Sequence, residues 1–261
     1  MRGADMKQRA QQFGFSLVEL MVSLTLGSLV ILALGQIYSS TSASRRVQEM
    51  QSRLAEDGRF VMGISSRLLL QAGYKQNPGY GSAPFQSVSG AVSTASSVAI
   101  VFDADGINQV GCNGVAVASE VNLRVTIFQS GSGLDCRFTN ASGSTITNWV
   151  VAAASGTSRG VEVVDFNLQY GIDDNVSTVA SAYQCAPSRD CIPDRYTSTP
   201  GTGARIVAVR VCAVLRSEQS AMAVSRPAAF TNCTGANIAA STTDRKVYRI
   251  FRTTVAMRNR S

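Results

Sequence analysis

GFSLVELMVSLTLGSLVILALGQIY, residues 14–38, holds a small-residue junction, Gly14 then Phe15, followed by an apolar run whose only ionisable side chain is Glu19. As a helix, the 24 residues from Phe15 to Tyr38 extend roughly 36 Å at about 1.5 Å per residue, enough to cross a bilayer. One membrane-spanning helix near the start of the chain is therefore expected.

Glu19 is the costly residue in that span, because insertion scales charge a buried acidic side chain up to about 3 kcal/mol at the centre of a helix. If the chain is cut after Gly14, the new amino terminus at Phe15 is a cation, and Glu19 lies four residues on, one turn away on the same face. Its carboxylate then neutralises an amine, its own or that of a neighbouring copy. The plainer reading is an acid near a helix start that snorkels to the interface.

Residues 1–14, MRGADMKQRAQQFG, are short, basic and polar, without an apolar core, and read as a leader to be removed. An ordinary secretory signal, cleaved among the small residues Ser39 to Ser44, is the competitor. Against it stand the length of the apolar run and the carboxylate inside it. Beyond Tyr38, apolar residues recur at Val47, Met50, Leu54, Val61, Ile64 and Leu68, a spacing of three and four. This predicts that the helix continues to about Ala72 and stops at Gly73. Gly27, Gly35, Gly58 and Gly63 each cost roughly 1 kcal/mol against Ala in a helix interior, so local bending is expected. Asp57 breaks the heptad that a coiled coil needs, which favours a stalk half buried under its own head.

Residues 75–97 are rich in Gly, Ser, Pro and Ala and read as loop. After them the period becomes two. Strands are predicted over 98–102, 121–128, 147–152, 160–170, 205–216 and 246–257. In the fifth of these, Val207, Val209, Val211, Ala213 and Leu215 make one face and Arg210 and Arg216 lie on the other, so that side of the sheet is expected to be partly wet. The fold class is α+β: a long N-terminal membrane-spanning helix and stalk, packed on a mainly antiparallel β-sheet head. The divisions are a leader at 1–14, the transmembrane and stalk helix at 15–74, and a β-rich head at 75–261.

The chain has no histidine, which removes Ser/His/Asp and Cys/His catalysis and histidine metal sites together. Six cysteines, Cys112, Cys136, Cys185, Cys191, Cys212 and Cys233, all follow the stalk and show no CxxC spacing. They point to disulfides, and so to a periplasmic or extracellular head. Fifteen connectivities are open, nearest-neighbour pairing being a guess among them. The formal charge is +7; loss of residues 1–14 leaves 21 basic and 16 acidic residues, +5, spread without a Lys/Arg block. No nucleic-acid partner is expected. Positive-inside counting is undecided, with Arg2, Lys7 and Arg9 before the span and Arg45, Arg46 and Arg53 after it.

GFSLVEL, residues 14–20, resembles the N-termini of type IV pilins, pseudopilins and competence pilins. Three further stretches resemble the PilW family of type IV pilus minor pilins: the stalk at 47–74, GVEVVDFNLQYGID at 160–173, and YRIFRTTVAMRNR at 248–260. The resemblance implies cleavage between Gly14 and Phe15 by the prepilin peptidase, N-methylation of Phe15, and docking of Glu19 to a neighbouring subunit. It implies a single-pass inner-membrane protein with a periplasmic head, incorporated in or at the tip of the pilus. Its partners are then other minor pilins, the major pilin and, at the tip, an adhesin. Family members often carry an Asp/Gly-rich loop capable of binding calcium. Here IDDNVSTV, 172–179, lacks the alternating acids and the Gly, and FDADG, with Asp103 and Asp105, is another partial match. No metal, cofactor or catalytic residue is expected. Two other readings stay open: a minor pseudopilin of a type II secretion system, and a signal-anchored periplasmic binding protein or enzyme.

Overall fold

The computed structural model describes residues 16–77, 95–151, 160–174, 192–201, 204–220, 224 and 228–257. By internal contacts the chain forms two units, Met1–Arg45 and Arg46–Ser261. One helix, α1 (Leu17–Gln71), runs through both without interruption, glycines included. It is the one described helix long and apolar enough to span a membrane.

In the second unit, α1 buries Leu54, Gly58, Val61, Ile64, Ser65, Leu68 and Leu69. These positions recur every three or four residues and so form one stripe, the face turned to the head core. The end of the helix is set by Gly73, whose φ of 76° lies in the left-handed region that a glycine enters without a Cβ penalty. Chain reversal follows at once: Gly73 N–H donates to Val101 O at 2.8 Å and Asp103 N–H to Tyr74 O at 2.7 Å, fastening the helix exit to the first strand.

That strand is β1 (Ser97–Ala104). It leads an antiparallel meander with β2 (Glu120–Ser130), β3 (Gly133–Asn140) and β4 (Gly143–Val150), in the order β1-β2-β3-β4. Two-residue loops join β2 to β3 and β3 to β4, closing on Ser130 opposite Gly133 and Asn140 opposite Gly143. β3 is a strand that the sequence reading missed, and β4 starts earlier than expected. Leu134, Cys136 and Phe138 do alternate in β3, but Asp135 and Arg137 between them and the Gly/Ser turns around it make the stretch look like loop.

The second sheet has the order β10-β7-β5-β6, from β5 (Val161–Ile172), β6 (Arg195–Thr197), β7 (Ile206–Ser217) and β10 (Tyr248–Ala256), all antiparallel. A small hairpin, β8 (Phe230–Thr231) with β9 (Asn237–Ile238), lies in the connection before β10. β5 also joins the first sheet: Leu168 N–H donates to Ala95 O at 2.7 Å, Val163 N–H to Ser132 O at 2.8 Å and Tyr170 OH to Ser97 O at 3.2 Å. A single core results, in which Leu54, Val61, Leu68 and Leu69 of α1 meet Ile100, Phe102, Val125, Ile127, Phe166, Leu168, Val209 and Val211.

The face of β7 opposite the core is partly wet, as expected, at exposed Arg210 and half-buried Arg216, while Ala208, Cys212 and Val214 on the same face are buried. The segment around Cys233 reaches this face, through the bond from Cys212 to Cys233 and the Asp165 carboxylate, which accepts Cys233 N–H at 2.8 Å. Residues 75–77 and 95–96 lie outside regular structure; the remainder of the expected loop at 75–97 lies outside the described residues, apart from Ser97, which opens β1.

Candidate functional site

Within the first unit, α1 presents exposed aliphatic side chains on every face, among them Leu17 at 74%, Val18, Leu20, Met21, Leu24, Ile31 and Ile37. Four hydroxyl groups in this stretch bond inside the helix. Ser23 Oγ donates to Glu19 O at 2.6 Å, Thr25 Oγ1 to Val22 O at 2.9 Å, Ser28 Oγ to Thr25 O at 2.8 Å and Ser39 Oγ to Gln36 O at 2.9 Å. Such internal bonds remove most of the cost of carrying Ser and Thr through an apolar medium. Glu19 has no such escape, since a carboxylate accepts and cannot donate to a backbone carbonyl. It stands exposed in the first turn of α1, where the unsatisfied N–H groups and the helix dipole favour negative charge. Gly14 and Phe15 lie outside the described residues.

The four described cysteines form two bonds. Cys112 to Cys136 spans 5.6 Å between Cα atoms, and Cys212 to Cys233 spans 5.9 Å. Cys185 and Cys191 lie outside the described residues. The first bond anchors the 105–118 loop to β3. Two more ties hold the same loop: Trp149 Nε1 donates to Cys112 O at 2.8 Å, and the Gln71 carboxamide both accepts Val110 N–H, at 2.5 Å, and donates to Val110 O, at 3.3 Å. A buried loop end, a β4 indole and the last residue of α1 are thereby locked together.

The two aspartates of FDADG do not converge on a common point. Asp103 accepts Asn122 N–H at 2.9 Å and Gln76 N–H at 3.1 Å, one on each oxygen. Asp105 accepts Ile107 and Asn108 N–H, both at 2.8 Å, with a further bond from Asn108 Nδ2. Those donors, Asn108 N–H first, hold the Asp105 carboxyl below its ordinary pKa. The pair organises turns. Of IDDNVSTV, residues 175–179 lie outside the described residues, while Asp174 pairs with Arg195 and Asp173 with Arg205 at 3.5 Å. Among the described residues no three Cys, Asp or Glu side chains gather as a metal site.

A charged cluster, unseen in the sequence, holds the end of the second sheet. Glu162, 6% exposed, accepts from Arg216 Nε at 2.5 Å and Lys246 Nζ at 3.1 Å. Arg216 Nη1 lies 3.5 Å from Asp244 Oδ2, to which Tyr248 OH also donates. Tyr248 stacks on Phe230, with ring centroids 5.5 Å apart. Burial, and then the Asp244 carboxylate, push the Tyr248 phenol above its ordinary pKa. Three strands and the 217–247 connection supply these residues; only the register of β5, β7 and β10 brings them together, and no local motif announces it.

A model of the prokaryotic N-terminal methylation motif matches residues 9–35, and the family described as Type IV Pilus-assembly protein W matches residues 136–259. The two matches together support a type IV pilin of the PilW family. The PilW match starts at Cys136 in β3 and runs through the end of β10, so it takes in both disulfide-bonded cysteines of the second sheet region and the whole charged cluster. The stalk at 47–74 lies outside both matches. Over 80% of this pilin and 98% of the other chain, the structure is similar to a type IV-like pilin from Thermus thermophilus, at 14% identity and a TM-score of 0.46. No curated protein matches it significantly.

Proposed function

We propose that this minor pilin is processed by prepilin peptidase between Gly14 and Phe15, is N-methylated on Phe15, and joins or primes the type IV pilus assembly complex from the inner membrane. The observation that carries this reading is the division of α1: an exposed apolar stretch from Leu17 to Tyr38 holding one carboxylate, and a second stretch from Leu54 to Leu69 buried in the head. A helix so divided leaves its first part for lipid or for the helices of other subunits. Glu19 then supplies the specific contact, accepting the amine of Phe15 from an adjacent subunit, a charge pair worth more in low dielectric than in water. The head, periplasmic on the strength of its disulfides, selects which subunits meet it: other minor pilins, the major pilin and a tip adhesin. The role is structural. A family described by pilus assembly favours the pilus over a type II secretion system.

Glu19→Ala in a complemented deletion strain tests this. Processed protein should accumulate normally, because a costly polar group has left the span, while surface pili and crosslinks to the other minor pilins should both fall. Normal piliation with normal crosslinking would make Glu19 a tolerated interfacial acid.

A further inference from the structure

Each four-stranded sheet has two edge strands, and two of these edges, β10 and β4, are guarded differently. β10 carries Arg249 and Arg252. Charges on an edge strand keep another copy from adding to it, because like charges would face each other. β4, one edge of the first sheet, has no such guard: from Ala141 to Ser158 the sequence holds neither a charged residue nor a proline. It is also open. Gly143, Ser144, Thr145, Ile146 and Asn148 are all exposed, Ile146 to 52%. Because the β3-β4 hairpin closes on Asn140 opposite Gly143, the backbone groups of Gly143, Thr145 and Thr147 turn towards β3 and those of Ser144, Ile146 and Asn148 turn outward. Among the described residues no other strand pairs with that outer edge.

We propose that β4 pairs antiparallel with β4 of a second copy of this chain, about a two-fold axis through Ile146. The strand is nearly the same in both directions: Ser144, Thr145, Ile146, Thr147, Asn148. Turned on itself, it sets Ile146 opposite Ile146, Thr145 opposite Thr147 and Ser144 opposite Asn148. Apolar meets apolar and hydroxyl meets hydroxyl, the cross-strand pairs that stabilise antiparallel sheets, and each copy offers the same patch, as a closed dimer requires. The nearest charge on that face is Arg137, which pairs with Ile146 in register and has its guanidinium 5.3 Å from the Phe128 ring centre. Across the seam the two Arg137 backbones are three strand spacings apart, about 14 Å, beyond the screening length of about 10 Å at 0.1 M salt. This inference concerns the head alone and stands whether or not the assembly role of Glu19 holds.

Cysteine crosslinking of the full-length chain in its own membrane tests both partner and register. Facing Cα atoms in a hydrogen-bonded pair lie about 5.5 Å apart, within disulfide reach. Under mild oxidation Ile146→Cys should give a covalent homodimer. Ser144→Cys alone should not, whereas Ser144→Cys mixed with Asn148→Cys should, and adding Ile146→Lys to that mixture should cut the yield at least tenfold. All these positions are exposed, so the variants should accumulate like the parent. A monomeric Ile146→Cys, a crosslink to a different polypeptide, or equal yields from Ser144→Cys alone would each overturn the proposal.

Discussion

The ring of Phe251 fills the space that a side chain at Gly58 would need: a Cβ built there would overlap the ring atoms Cζ, Cε1 and Cε2. No atom lies within 4 Å of the equivalent position at Gly27, Gly35 or Gly63. Gly58 is therefore where α1 lets the last strand approach its backbone. In Gly58→Ala, overpacking of about 1–3 kcal/mol outweighs a helix-propensity gain of about 1 kcal/mol. Denaturant unfolding of the full chain in detergent should show a net loss of up to about 2 kcal/mol. Adding Phe251→Leu should recover much of it, a coupling of about 1 kcal/mol or more. A simple gain in Gly58→Ala would mean that the contact is absent.

Trp149 is the only tryptophan in the chain, and its indole donates to the carbonyl of Cys112 beside the bond to Cys136. Replacing Cys112 and Cys136 together with Ser should cost about 2–4 kcal/mol. Because the indole loses its fixed acceptor and part of its cover, the emission should also shift to the red. An unshifted spectrum with unchanged stability would show that the 105–118 loop is held without the bond.

Glu162 serves two cations at once from a nearly closed site. Glu162→Gln leaves Arg216 and Lys246 without their shared carboxylate, with Asp244 still facing Arg216. Losing one partner of a buried charge group costs about 3 kcal/mol. Lys246→Met in the same background should return part of that loss, since the surplus cation goes with it. If Glu162→Gln unfolds at the parent denaturant midpoint, the cluster is electrostatically idle.

The Tyr248 phenol has its pKa raised by burial and by Asp244. A raised folded pKa means that the unfolded chain gives up this proton first. The contribution is therefore complete below the unfolded value of about 10 and is lost as pH climbs through the folded value. Parent stability should fall above about pH 10 more steeply than that of Tyr248→Phe, compared by thermal unfolding across that range. Parallel slopes would remove Tyr248 from the alkaline transition.

Much of this arrangement was legible in local pattern. The apolar stripe from Val47 to Leu68 forecast a helix to about Ala72, which ends at Gln71, and Gly73 forecast its stop. The alternation of Val207, Val209, Val211, Ala213 and Leu215 forecast the central strand of the second sheet and its core face. What escaped depends on residues far apart in sequence. Gly58 read as a helix weakness because its partner, Phe251, sits at the other end of the chain. Nothing local marks Asp244, Lys246 and Glu162 in the sequence, since only the pairing of Val161 with Ser217 and of Tyr248 with Arg216 brings them to one place. β3 was hidden by its own polarity: with Asp135 and Arg137 between its apolar residues, its claim to be a strand comes from β2 and β4 on either side.

The start of the mature chain is the most direct measurement of the central claim, that this pilin is cut and modified for assembly. Intact-mass and N-terminal peptide spectrometry of protein from membranes should find a chain beginning at Phe15 and heavier by one methyl group on its amine. A chain beginning near Ser44, or one that keeps residues 1–14, would contradict it.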